Sequence, residues 1–178
     1  AKEYKATVMK NVIILIIASI LFIHVSSAQS IDKDTKEQFN KAVDFINQND
    51  HEKAIMTLDS LIQGDPYFGR AYLERGKLLF QVDSTEEALH DFTRAVFINS
   101  DLGEANFYKG CIHYKNNKPD SAIRSLTMAL EKDYSNSEVY YMRGLVNYDL
   151  KDYNSAISNF TTAIDDDYDF AYAYNERG

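Results

Sequence analysis

The sequence predicts an all-α protein: a right-handed α-solenoid of stacked antiparallel helix hairpins, with four full 34-residue repeats and half of a fifth. Three observations predict it. Small and apolar residues recur every 34 positions without a gap or insertion. Each 34-residue row holds two stretches of helical period joined by a short polar turn. Gly and Pro number only 7 and 2 in 178 residues, which disfavours a turn-rich all-β chain.

Residues 1–28 are unlike the rest. Val12 to Ile23 is an unbroken run of apolar and small residues, VIILIIASILFI, behind Lys10. Ser26 and Ala28 place small residues at the two positions that matter for a cut after Ala28. A basic start, a short apolar core and a small-x-small exit describe a secretory signal peptide. The run is shorter than the roughly 20 residues a membrane span needs. Membrane contact is therefore expected only through an uncleaved signal segment. Met9 reads as the start, with Ala1 to Val8 outside the fold. The mature chain is expected to run Gln29 to Gly178 and to be periplasmic or secreted.

The chain has a net charge of −8, and removing residues 1–28 takes away three lysines and one glutamate, leaving −10. An acidic chain with no basic block repels phosphate backbones, so nucleic acid is not an expected partner. Basic protein segments are easier partners. Cys111 is the sole cysteine, so no internal disulfide forms, and it reads as a small buried apolar residue.

Residues 29–34 are a lead-in. Rows of 34 then begin at Thr35, Gly69, Gly103 and Ser137, giving repeats 35–68, 69–102, 103–136 and 137–170, with 171–178 starting a fifth. The eighth column reads Ala42, Gly76, Gly110, Gly144, Gly178. The twentieth reads Ala54, Ala88, Ala122, Ala156, and the twenty-fourth Leu58, Phe92, Leu126, Phe160. The twenty-seventh reads Leu61, Ala95, Ala129, Ala163. Column 8 predicts a close approach of the first helix to the second, with the Ala of column 20 receiving it. Capping boxes are expected at Ser84 with Glu87 and at Ser135 with Glu138. Asp50 and Asp152 are expected to cap second helices, and Pro119 suits a first helical turn. Gly64-Asp65-Pro66 ends the second helix of the first row.

With those columns the chain resembles the tetratricopeptide repeat family from Thr35 to Gly178. It departs from the family pattern in three columns. Column 4, often Trp, is Gln38, Tyr72, Asn106, Tyr140 and Tyr174. Column 32 keeps Pro only at Pro66, with Ser100, Tyr134 and Tyr168 later. Column 7, usually Leu, is Lys41, Arg75, Lys109, Arg143 and Arg177. The resemblance implies a protein-protein interaction or scaffold role, without enzyme activity, cofactor or metal.

It also implies that the first helices line a concave binding face. Columns 2, 6, 9 and 13 share one side of those helices, away from expected core columns 4, 8 and 11. The candidate groove is therefore Asn40, Arg70, Glu74, Lys77, Glu104, Tyr108, Lys115, Met142, Leu145, Asp149 and Tyr172. Tyr108, Met142 and Leu145 are expected to form an apolar floor, or else to pack between rows. Columns 5 and 12, rich in aromatic residues, read as core. The family subclass that grips a chaperone tail uses Lys, Arg and Asn at groove positions. Those positions are Phe39, Val43, Glu74, Glu104 and Tyr108 here, so that ligand is not expected.

Catalytic signals are weak. His24, His51, His90 and His113 share no face at metal-ligand spacing. Asp165, Asp167, Asp169 and Glu176 mimic a calcium loop, but Phe170 stands where Gly is needed, so a solvated acidic turn is expected. The chain stops inside a helix, which predicts either a longer exported protein with a catalytic or envelope-binding domain after Gly178, or self-association through the open end.

Overall fold

The computed structural model describes residues 33–166 and Glu176. Eight helices fill 33–166: α1 (33–47), α2 (His51–Gly64), α3 (Gly69–Gln81), α4 (Thr85–Ile98), α5 (Gly103–Lys115), α6 (Pro119–Glu131), α7 (Ser137–Asp149) and α8 (Tyr153–Asp166). They form four antiparallel hairpins stacked in chain order. Helix α3 packs on α4, α5 on α6 and α7 on α8, while α2–α3, α4–α5 and α6–α7 contacts join the hairpins. Helix α5 also touches α7. The expected fifth-repeat segment lies outside the described residues except for Glu176, which is helical and exposed. The acidic calcium-like turn also lies largely outside them.

The missing Cβ of column 8 decides how close the two helices of a hairpin come. A Cβ built on Gly76 would sit 2.8 Å from Phe92 Cε1, and one on Gly110 would sit 2.7 Å from Leu126 Cγ. At Gly144 the corresponding atom is Phe160 Cε1, closer still. The neighbour that fills the notch is thus column 24, rather than the column 20 Ala. Phe92, Leu126 and Phe160 are at most 1% exposed, so none can swing out to make room. Columns 20 and 27 lie behind them: Ala88, Ala95, Ala122, Ala129 and Ala163 have no exposed surface.

The hairpin turns carry a device that the sequence reading passed over. Column 15 takes a positive φ in every row: Asn49 (58°), Asp83 (63°), Asn117 (54°) and Lys151 (63°). The next residue's N–H then reaches back to column 11: Asp50 N to Phe45 O, Ser84 N to Leu79 O, Lys118 N to His113 O and Asp152 N to Asn147 O, each at 2.9 Å. Column 15 N–H bonds column 12 in the same rows. This pair of bonds is a Schellman motif, which satisfies the last carbonyls of the first helix. Asn and Asp tolerate the left-handed region better than Lys does.

Several expected caps hold. Asp50 accepts from Lys53 N at 3.2 Å, Asp152 accepts from Ser155 N at 3.2 Å, and Pro119 opens α6. Helix α2 ends at Gly64 with Asp65 as its C-cap. Two caps need correction. Ser84 stands at the N-cap of α4, but its side chain makes no capping bond. At α7 the cap is Asn136, which accepts from Val139 N at 3.0 Å, while Ser135 donates to the Tyr140 hydroxyl instead. Asn136 is one residue nearer the helix, and its amide oxygen reaches the first-turn N–H.

The core columns also shift. Columns 3 and 10 are fully or almost fully buried in the later hairpins, as Ala71 and Leu78, Ala105 and Ile112, Val139 and Val146. They meet the preceding hairpin. The same columns in the first hairpin are Glu37 and Asp44, both exposed. Column 11, expected as core, holds half-buried Leu79, His113 and Asn147 beside the second helices. Columns 5 and 12 are core or core-edge as read, with Leu73 and Phe107 buried, except at Tyr148, which is exposed.

Two measurements check this packing. Gly144→Ala should lower unfolding free energy by about 1–3 kcal/mol, the cost of overpacking, whereas Gly64→Ala, which meets no atom within 4 Å, should not destabilise. Lys151→Asn should raise it by about 0.5 kcal/mol in the same urea titrations, by easing the left-handed backbone.

Candidate functional site

Helices α1, α3, α5 and α7 present columns 2, 6, 9 and 13 side by side. None of the described residues in these columns is fully buried: Asn40, Arg70, Lys115 and Asp149 are exposed, and Glu74, Lys77, Glu104, Tyr108, Met142 and Leu145 are half-buried. Tyr172 lies outside the described residues. Helical spacing alone accounts for this common side, because columns 3 and 10 turn the other way into the stack.

The charges here are linked across hairpins. Lys77 Nζ lies 2.9 Å from Glu104 in the next hairpin and 3.2 Å from Glu74 in its own. Burial pulls the Lys77 ammonium down, but the two carboxylates outweigh it and lift it to about 12. Lys115 pairs with Asp83, and the Tyr114 hydroxyl donates to Asp149 at 2.7 Å. Glu74, Lys77 and Glu104 are therefore held by one another, and Lys115 and Asp149 by neighbours outside the candidate set.

Tyr108 and Met142 are seated between hairpins, while Leu145 packs within its own. The Tyr108 ring stacks on Phe92, with centroids 5.0 Å apart and planes 8° from parallel, and meets Phe80 edge-on at 5.6 Å. Burial lifts its hydroxyl to about 12. Met142 packs on the cluster of Phe107, Ala122 and Leu126, and Leu145 on that of Ala156 and Phe160. Cys111 packs on the same cluster as Met142, and burial, with Glu138 adding, lifts its thiol to about 12.

A hollow of about 390 Å³ crosses the first three hairpins on this side. Phe39, Val43, Leu73 and Leu102 are its apolar lining, and Arg70, Glu74, Asp101 and Glu104 stand on its charged rim. Lys132 and Tyr134 close it from the loop after α6. Those loop residues were missed by a search confined to helix faces. The signal was Tyr134, a large residue in a column where the family pattern has Pro. Among the described residues, no group of three or more His, Cys, Asp or Glu could hold a metal ion. No helix among them is long and apolar enough to cross a membrane.

Stacked antiparallel helix hairpins of this kind make a helical-repeat solenoid. The profile of the tetratricopeptide repeat family matches residues 109–169. No curated protein matches. Among solved structures, MamA residues 41 to the end from Desulfovibrio magneticus RS-1 is similar at TM-score 0.71 and 16% identity, covering 80% of this chain and 81% of that one. YrrB, described as a TPR protein with an unusual peptide-binding site, is similar at TM-score 0.70 and 21% identity, covering 79% and 72%. The first TPR of Spaghetti (RPAP3), bound to the HSP90 peptide SRMEEVD, is similar at TM-score 0.61 and 20% identity, covering 66% and 93%. At these identities the likeness is one of fold, and it is the tetratricopeptide solenoid.

Since the thiolate is the reactive form, a thiol lifted from 9.0 to about 12 exposes far less of it at pH 8. Iodoacetamide should label Cys111 at least about a hundredfold more slowly in the folded chain than in urea, followed by intact mass.

Proposed function

We propose that this chain is an exported protein-interaction scaffold that holds a segment of a partner protein on its concave side. The observation that supports this reading is the hollow across three hairpins, with apolar Phe39, Val43 and Leu73 beneath a rim of Arg70, Glu74 and Glu104. An extended segment binds such a surface through apolar anchors, with charge setting its register. Glu74 and Glu104 share one lysine, Lys77, which leaves the centre of the groove with an acidic excess. The partner segment is accordingly basic or mixed, unlike the acidic peptide bound by the Spaghetti repeat. Export rests on the basic start, apolar core and Ala28 exit of residues 1–28.

Tyr108 is unsuited as a probe, because removing a ring stacked on Phe92 would also loosen the hairpin. Arg70 is exposed on the rim, and Thr93 is exposed on α4 in the second-helix layer. A photo-crosslinking residue at Arg70 should trap the partner and one at Thr93 should not. The reverse pattern would place the partner on the other side. N-terminal sequencing of the protein from the exported fraction should begin at Gln29, and retention of the full chain in the cytoplasm would overturn the export reading.

A further inference from the structure

Column 7 places a cation in every first helix, and in the second and fourth hairpins its side chain reaches the second-helix side of the stack, away from the groove. In the second hairpin it is fully neutralised. Arg75 donates through Nε and Nη2 to Asp91 at 2.7 and 2.8 Å, and through Nη1 to Asp59 of the preceding hairpin at 2.6 Å. Asp91, in column 23, is only 1% exposed. The guanidinium fork thus spans two second helices, α2 and α4.

The fourth hairpin keeps the arginine and loses both acids. Column 23 is Asn159, and the residue matching Asp59 is Thr127. Arg143 Nε donates to Asn159 Oδ1 at 2.7 Å, and the Asn159 amide is itself held by Ser155 O at 2.8 Å. Among the described residues no carboxylate meets this guanidinium, and burial holds it below its ordinary value. The third hairpin behaves alike: Lys109 faces no acid among the described residues, and column 23 there is Ser125.

Around Arg143 lies a hollow of about 500 Å³ between α6 and α8. Thr127, Asn147, Ser158, Asn159 and Thr162 line it, and Arg143 is its single charged side chain. The matching hollow around Arg75 is lined by Asp59, Glu86, Glu87 and Asp91. A guanidinium has five N–H donors, and Asn159 engages one. Its planar fork matches a carboxylate in two-point contact. A phosphate dianion would leave a charge uncompensated in a half-buried site, which is costly.

We propose that this hollow is a carboxylate-binding site, where Arg143 grips an acid group from outside the chain in the place that Asp59 fills around Arg75, with Asn159 standing where Asp91 does. The acid group comes either from a protein side chain or from a small organic acid, and the site is separate from the concave groove. Ser158 and Thr127 supply hydroxyls to the rest of the ligand, while the Thr162 hydroxyl donates to Ser158 O at 3.0 Å.

The test is a nitrogen-15 NMR titration of the full chain with N-acetylglutamate, with a Ser-Glu-Ser peptide blocked at both ends, and with inorganic phosphate. Saturable shifts of the Arg143 Nε–H and of the Ser158 and Thr162 amides are expected with the carboxylates. A tighter response to the peptide assigns the site to a protein side chain, and a tighter response to N-acetylglutamate assigns it to a small acid. Arg143→Gln should abolish the shifts. Asn159→Asp, which copies the second hairpin, should weaken binding at least about tenfold and raise the melting temperature, because the acid is then internal. No saturable shift, shifts unchanged in Arg143→Gln, or a response to phosphate with both carboxylates silent would overturn the proposal.

Discussion

Inside each of the last three hairpins a glycine without a Cβ faces a large buried side chain: Gly76 with Phe92, Gly110 with Leu126, Gly144 with Phe160. The side chain occupies the space where a Cβ would stand, so the two helices can approach only at this register. Once they do, the column 20 alanines are buried without a void and each hairpin becomes a thin, flat unit. Such a unit has too little core of its own, and stacking is what buries columns 3 and 10. The groove side and the second-helix side are both consequences of that stacking.

The two sides then handle charge differently. On the groove side, links run sideways between first helices, as in Lys77 to Glu104 and Tyr114 to Asp149. They hold neighbouring helices together beside the hollow under Arg70, Glu74 and Glu104. On the other side, column 7 reaches through to the second helices. Asp91 is nearly inaccessible there, so the Arg75 pair is shielded from solvent and salt on its acidic half. Its replacement by Asn159 in the fourth hairpin changes the local charge balance without changing the fold, since Asn and Asp have almost the same shape.

Much of the architecture was legible because a repeat states each packing rule four times over. Column 8 small, column 20 Ala and column 24 large are visible in one dimension. Site residues were legible as a face, since columns 2, 6, 9 and 13 follow from helical pitch. What those residues do to one another was not. Tyr108 read either as groove floor or as packing between rows, and its ring is stacked on Phe92, 16 residues away in the other helix of the previous hairpin. Column 11 looked like core because it is in phase with column 4, but it flanks the second helices.

The sequence by itself determined the period, the hairpin boundaries and the small residues that set helix spacing. These depend on local pitch and on residue size, which are properties of single positions. Only the tertiary structure decided that column 24 is the partner of the glycine, that Asn136 rather than Ser135 caps α7, and that column 7 is neutralised in one hairpin and open in another. Each of those depends on which atoms from distant rows meet, and distance along the chain carries no record of that meeting.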